Sequence, residues 1–216
     1  MRPGPPPAHP AHSVRSTRGV GPLGYGSPVM RIVAGTARGR RLVAPPGDAV
    51  RPTTDRVREA LFNSLVSLDA VRDATVLDLF AGSGALGIEA LSRGAAHVTF
   101  VDSSPDAVRT VRENLERAGL ADRATVVRAD AREHLRRGGG AERVDLALVD
   151  PPYAFDDWAA LLDDLEAEIV VIESDREIDP GDGGTLVRAR RYGGTVVTIA
   201  RYGDPGPGRF TPEDRS

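Results

Sequence analysis

The stretch that most restricts what this chain can fold into is Thr75-Val76-Leu77-Asp78-Leu79-Phe80-Ala81-Gly82-Ser83-Gly84-Ala85-Leu86-Gly87. An apolar run too short for a helix breaks into a glycine-rich loop, and a run with helical spacing follows at once. Gly82, Gly84 and Gly87 satisfy G-x-G-x-x-G, in which the glycines allow a tight turn, a close ligand and a close helix–strand approach. A strand, loop and helix in this order bury their apolar faces only as part of a layered α/β domain. Asp102 ends the next apolar run, "HVTFVD", about 20 residues past the loop, where a carboxylate reaches ribose hydroxyls.

The remaining pattern extends that unit. Strand-like runs fall at residues 74–80, 97–102, 124–130, 143–150 and 167–174, and helical patterns near 84–93, 105–118, 131–137 and 156–165. Short apolar strands with helices between them imply a parallel sheet covered on both faces. The last two runs are joined at Tyr192-Gly193-Gly194, a hairpin signal and not another βα unit. A further helix precedes the first strand: "TTDRVREALFNSLVSL" places Val57, Leu61, Leu65 and Leu68 along one face, with Thr53 or Thr54 as N-cap. The expected fold is α/β and Rossmann-like, of the class I S-adenosylmethionine-dependent methyltransferase type. Its sheet is seven-stranded and mostly parallel with an antiparallel last strand, and a small N-terminal β-hairpin is appended.

Residues 1–29 are rich in Pro, Gly, Ser and His without apolar periodicity and read as a disordered extension. Residues 30–53 form an arginine-rich hairpin segment, 54–202 the main domain, and 203–216 a loose tail. With no cysteine there is neither a disulfide framework nor a thiolate metal site, and no metal is expected. No apolar run approaches the roughly 20 residues that cross a bilayer, and the N-terminus lacks the apolar middle of a signal peptide, so a cytoplasmic monomer is the default.

The loop alone reads as a dinucleotide site, but Asp78 argues otherwise. A carboxylate four residues before Gly82 would repel a pyrophosphate, yet it suits the ammonium of a methionine moiety. This selects S-adenosyl-L-methionine, held by Asp78, Phe80, Ala81, Gly82, Ser83, Gly84, Asp102 and Ser103. Asp130-Ala131 ends the third strand, where the acid can accept from an adenine amino group or cap the following helix.

The fourth strand ends in Asp150-Pro151-Pro152-Tyr153. Two prolines stop a strand, and they also fix where the flanking acceptors point. An amino group conjugated to a flat ring is a poor nucleophile, because its lone pair is delocalised. The Asp150 carboxylate and the Pro151 carbonyl can each accept one of its N–H bonds, and Tyr153 can stack on the ring.

Together, "RIVAGTARGRRL", "RPTTDRVREALFNSL", "DLFAGSGALGIEALSRGA", "VDSS" and "DPPY" resemble the RsmD-type 16S rRNA (guanine-N2)-methyltransferases over residues 30 to about 202. The RPT-to-LFN segment separates that family from other carriers of (D/N)PP(Y/F). The resemblance implies methyl transfer to the exocyclic N2 of guanine 966, in standard bacterial numbering, within a partly assembled 30S particle. It matches Asp150, Pro151 and Tyr153 to the acceptor motif, and Asp78, Gly82, Gly84, Asp102 and Asp130 to the cofactor positions. One departure is the short stretch "YAFDDWAALLDDLEAEIVVIES", which leaves the acceptor-side wall undetermined.

An RNA substrate requires phosphate contacts. Residues 31–58 carry seven arginines (31, 38, 40, 41, 51, 56 and 58) against Asp48 and Asp55, a local excess of 7 − 2 = +5 in a chain of net charge −3. Arg38, Arg40, Arg41 and Arg51 are the candidate RNA contacts, on a hairpin turned by Gly35 and Gly39. The competing reading is a solvated face with Arg51 or Arg56 turned inward toward Asp55 or Glu59. Among other functions, a DNA amino-methyltransferase would use the same acceptor motif but lacks room here for a target-recognition domain. A glutamine methyltransferase favours Asn at position 150. An NAD-dependent dehydrogenase is disfavoured by Asp78.

Overall fold

The structure is a computed structural model that describes residues 30–45, 55–138 and 143–203, besides the isolated Met1 and Gly4. The expected disorder of residues 1–29, the tail after Gly203, the N-cap at Thr53 or Thr54 and the RNA contact at Arg51 all lie outside the described residues.

Helix α1 (Asp55–Ser67) is followed by β1 (Thr75–Leu79), α2 (Ala85–Ser92), β2 (His97–Asp102), α3 (Pro105–Ala118), β3 (Ala124–Arg128), α4 (Ala131–Arg136), β4 (Val144–Val149), α5 (Trp158–Asp163) and β5 (Ala167–Ser174). The chain then closes with β6 (Gly184–Tyr192) and β7 (Thr195–Tyr202). They form one seven-stranded sheet of order β3-β2-β1-β4-β5-β7-β6. Strands β1 to β5 pair in parallel, while β7 runs antiparallel to both β5 and β6. The predicted strands and the terminal hairpin are therefore present, with ends trimmed by one or two residues.

Both faces of the central strands are buried, which is why they read as unbroken apolar runs. Leu146 and Leu148 of β4 and Ile169 and Val171 of β5 face the layer of α1, α2 and α3. Their neighbours Ala147, Val149, Val170 and Ile172 face α4 and α5. Strand β6, at the sheet's edge, exposes Leu186 and Val187 and carries Arg188, Arg190 and Arg191. Charged edge residues of this kind oppose further strand pairing. Local rules set the helix ends: the Ser104 hydroxyl accepts from Ala107 N at the start of α3 with Pro105 in its first turn, and Gly119 closes it at φ 64°.

The N-terminal segment is a short hairpin with one ladder bridge, Arg31 to Arg41, and it lies on α2 and α3. Glu89, wholly buried in α2, accepts from Val33 N at 2.7 Å and Ala34 N at 3.0 Å. Ser92 takes the turn, its hydroxyl accepting from Ala37 N and its carbonyl from Thr36 N. Asn114 of α3 accepts from Val43 N through its Oδ1 and donates its amide N–H groups to the carbonyls of Val43 and Ser83. The hairpin is thus tied both to a helix end and to the glycine loop.

Candidate active site

The carboxyl ends of β1, β2 and β4 open into one cavity of about 610 Å³, within the range of roughly 300–1,000 Å³ typical of small-molecule sites. Its wall joins the loop residues Phe80, Ala81, Gly82 and Ser83 to Asp78, to Asp102 and Ser103, and to the whole of Asp150-Pro151-Pro152-Tyr153. Motifs more than sixty residues apart in the chain meet there, because β1 and β4 are neighbours in the sheet.

The loop is held open by its own backbone. Phe80, Gly82 and Gly84 have φ of 59°, 54° and 75°, and Ala81 N donates to Val101 O. Phenylalanine in this region is strained by about 1–2 kcal/mol. Its ring packs edge-on against Phe155 at 5.5 Å, and Phe155 against Trp158 at 5.0 Å. This row packs into the core on the side of α4 and α5, and of its three rings only Phe80 lines the cavity; α5 is only six residues long, as the short stretch implied.

Asp102 orients the loop from the side. One carboxylate oxygen accepts from Gly82 N and the other from Ser104 N, both at 2.8 Å, so its remaining lone pairs face the cavity in a fixed direction. Asp78 is buried beneath the loop, and its Oδ2 accepts from Gly87 N at 3.0 Å. That bond satisfies one of the open N–H groups in the first turn of α2, whose N-cap, Gly84, has no side chain to do so. Burial pushes the Asp78 carboxyl well above the usual carboxylate range, opposed by the Gly87 N–H and reinforced by Asp150, Asp102 and Glu173. A positive group beside Asp78 would offset the cost of its buried charge.

Not every predicted residue meets the cavity. Asp130 accepts from Glu133 N at 3.0 Å and caps α4, and neither it nor Ala131 belongs to the cavity wall. The capping alternative is the one the geometry displays. Gly84 lies behind the wall as the N-cap of α2. Arg38, Arg40 and Arg41 are exposed on the hairpin, and Arg40 Nη1 donates to Arg117 O at the end of α3. Among the described residues the inward-turned arginine of this segment is not Arg56, which is exposed, but Arg58, which is 1% exposed and bonded to Asp55 and to the Arg31 carbonyl. Arg58, Met30, Ala44 and Pro45 line the cavity and were not anticipated.

A sheet of this order with a glycine loop, a buried acid at the first strand's end and D-P-P-Y at the fourth defines an S-adenosylmethionine-dependent methyltransferase fold. The family described as conserved hypothetical protein 95 matches residues 30–201, and the chain belongs to it. YlbH of Bacillus subtilis, provisionally named an rRNA methyltransferase, is 42% identical over 182 residues, 79% of this chain and 97% of that one. The ribosomal RNA small subunit methyltransferase D of Escherichia coli K12 is 44% identical over 128 residues, 59% of this chain and 62% of its own length. Among solved structures, yhhF of Escherichia coli, provisionally titled a methyltransferase, superposes with a TM-score of 0.69 at 33% identity, covering 81% of this chain and 98% of that one.

Proposed function

We propose that this chain transfers a methyl group from S-adenosyl-L-methionine to the exocyclic N2 of guanine in 16S rRNA, at the position numbered 966 in bacteria, on a partly assembled 30S particle. The observation that carries the reading is the single cavity in which Asp78 and the glycine loop face Asp150, Pro151 and Tyr153. The rRNA substrate rests on the names of its relatives.

The cofactor, when bound, supplies an electrophilic methyl group on a sulfonium. The residues fit it: Asp78 for the ammonium, the loop backbone and Asp102 for the adenosine. On the acceptor side, the Asp150 carboxylate and the Pro151 carbonyl each accept one N–H of the amine, which turns its lone pair toward the methyl donor. Tyr153, 42% exposed at the cavity mouth and with its hydroxyl 3.3 Å from Thr195 Oγ1, presents a ring on which a base leaving its stack can lie. Asp150 also receives the proton that the amine loses. The exposed arginines of the hairpin, Arg31, Arg38, Arg40 and Arg41, together with Arg51, contact RNA phosphates.

Asp150→Ala tests the acceptor role. Methyl transfer is expected to fall by at least about 10²-fold, while calorimetric affinity for S-adenosylhomocysteine stays within a few-fold. Loss of cofactor affinity in step with activity contradicts the assignment.

A further inference from the structure

The closing hairpin of β6 and β7 carries arginines at 188, 190, 191 and 201 and no acid, a local excess of 4 − 0 = +4 in a chain of net charge −3. Guarding a sheet edge requires charge but not a particular sign, and acids would serve there as well. Arg188, Arg190 and Arg191 are all exposed. The acids of the preceding loop do not neutralise them: Asp175 is paired with Arg176, and among the described residues no ion pair includes Arg188, Arg190 or Arg191. Arg191 Nη1 donates only to the uncharged carbonyl of Asp175, at 3.3 Å. Three cations held at a surface without counter-charges are what a polyanion requires.

Pairing across the hairpin gives each arginine a side. Arg190 lies opposite Val197 and Arg188 opposite Ile199, and residues directly opposite share a face. Val197 and Ile199 pack with Leu61, Phe62 and Leu65 of α1, so Arg188 and Arg190 stand on the α1 side of the sheet. Arg188 Nη1 accordingly donates to Ser64 Oγ of α1 at 2.9 Å. Arg191, opposite Val196, points to the other side. Between Leu186 and Arg188 the register shifts by one residue. The bulge separates the two arginines from the face of Leu186, which an unbroken strand would make them share.

The row leads to the acceptor motif. Tyr192 pairs with Thr195, whose Oγ1 stands 3.3 Å from the Tyr153 hydroxyl. From there Arg190 and Arg188 follow along β6 in two-residue steps of roughly 7 Å. Helix α1 lies between this row and the N-terminal hairpin, since Arg58 bonds the Arg31 carbonyl and Ser64, six residues on, takes Arg188. A base drawn out of its stack into the cavity leaves the RNA chain running away from the mouth in two directions, and the N-terminal hairpin covers one side of α1 alone. We propose that Arg190 and Arg188 hold backbone phosphates of the RNA on the other side, fixing the strand that carries the target base against Tyr153. The inference rests on the rRNA reading and extends its contact surface from the N-terminal hairpin to the edge strand.

The test compares the unaltered protein with the double variants Arg188→Gln/Arg190→Gln and Arg188→Lys/Arg190→Lys and with Arg191→Gln, in filter binding to naked 16S rRNA over a salt series and in methylation kinetics. In the Gln pair the slope of log affinity against log salt is expected to fall by about 1.4, for two single-strand phosphate contacts at about 0.7 each, and affinity near 0.15 M salt to fall about 10-fold. KM for RNA rises in step, while kcat and calorimetric affinity for S-adenosylhomocysteine stay within about twofold. The Lys pair keeps the slope, because a phosphate accepts a lysine as a point charge, and Arg191→Gln keeps it because that side chain faces away. An unchanged slope in the Gln pair overturns the proposal, as does an equal loss in Arg191→Gln, which would make the effect one of net charge. A Lys pair as weak as the Gln pair makes the loss structural and also overturns it. Weakened methylation of 30S particles with unaltered binding to naked rRNA overturns it in favour of a protein-docking edge. Failure of the unaltered protein to bind or methylate rRNA sinks the rRNA reading itself, and this proposal with it.

Discussion

Gly87 is where fold and cofactor site depend on the same few tenths of an ångström. It lies inside α2 and is not among the glycines of positive φ, so its backbone would accept alanine without strain. Helix propensity alone makes Gly87→Ala stabilising by about 1 kcal/mol. The side chain has no room, however. A Cβ there would stand 2.8 Å from Asp78 Oδ2 and from Phe100 Cζ, with the Cε1 of that ring closer still. Carbon atoms rest at about 3.5–4.0 Å, so the helix must retreat from β1 and β2 by on the order of 1 Å. Overpacking costs about 1–3 kcal/mol, and a ring and a carboxylate blocked together put this site at the upper end. The net loss is about 2 kcal/mol, or a Tm lower by about 4–8 °C for a chain of this size. The retreat also lengthens the Gly87 N–H bond to Asp78 and shifts the loop, and displacement by 1 Å lowers S-adenosylhomocysteine affinity by about 10- to 100-fold. Scanning calorimetry and titration calorimetry read the two effects, with Gly194→Ala as control, since nothing lies within 4 Å of its added Cβ. A Tm that rises by a few degrees with unchanged affinity would refute the close approach of α2 to the sheet.

Two further outcomes follow from the charges. The raised Asp78 carboxyl means that the folded state favours its protonated form, so its contribution to stability is present at low pH and is lost as pH rises through the raised value. Asp78→Asn removes that loss: the ligand-free variant melts above the parent at neutral pH, and the two curves converge on acidification. In the parent, cofactor affinity rises with pH as Asp78 ionises, whereas the variant binds weakly with a flat profile; parallel profiles would contradict this role. Replacing Arg38, Arg40 and Arg41 together by Gln weakens RNA binding and lowers the slope of log affinity against log salt by about 2–3, at roughly 0.7–0.9 per phosphate contact. An unchanged slope in filter-binding assays places the RNA elsewhere.

The sheet was legible because buried parallel strands carry their apolar runs on both faces, and β4 and β5 are buried almost throughout. The closing hairpin was legible from Gly193-Gly194. Arg58 was not, because it sits in a run of seven arginines that reads as a solvated patch. Its signal was present in the spacing: position 58 shares the helix face of Leu61, Phe62 and Leu65, and a charge on an apolar face marks a buried pair. Glu89 carried a similar signal as the lone acid in "ALGIEALS", yet the N–H groups of Val33 and Ala34 that it accepts from lie more than fifty residues away and are backbone groups that no side-chain pattern marks. For Asp130 the sequence supported both an adenine contact and a helix cap. The geometry that displays capping depends on where α4 begins, and pattern alone does not fix that residue.

The most direct test of the central claim is a methylation assay with tritiated S-adenosylmethionine on naked 16S rRNA, 30S particles and duplex DNA, with mass spectrometry of the labelled nucleoside. The predicted result is label in the ribosomal substrates alone, recovered as N2-methylguanosine and abolished by Asp150→Ala. Label in DNA, or recovery of N6-methyladenosine or N4-methylcytidine, would contradict it.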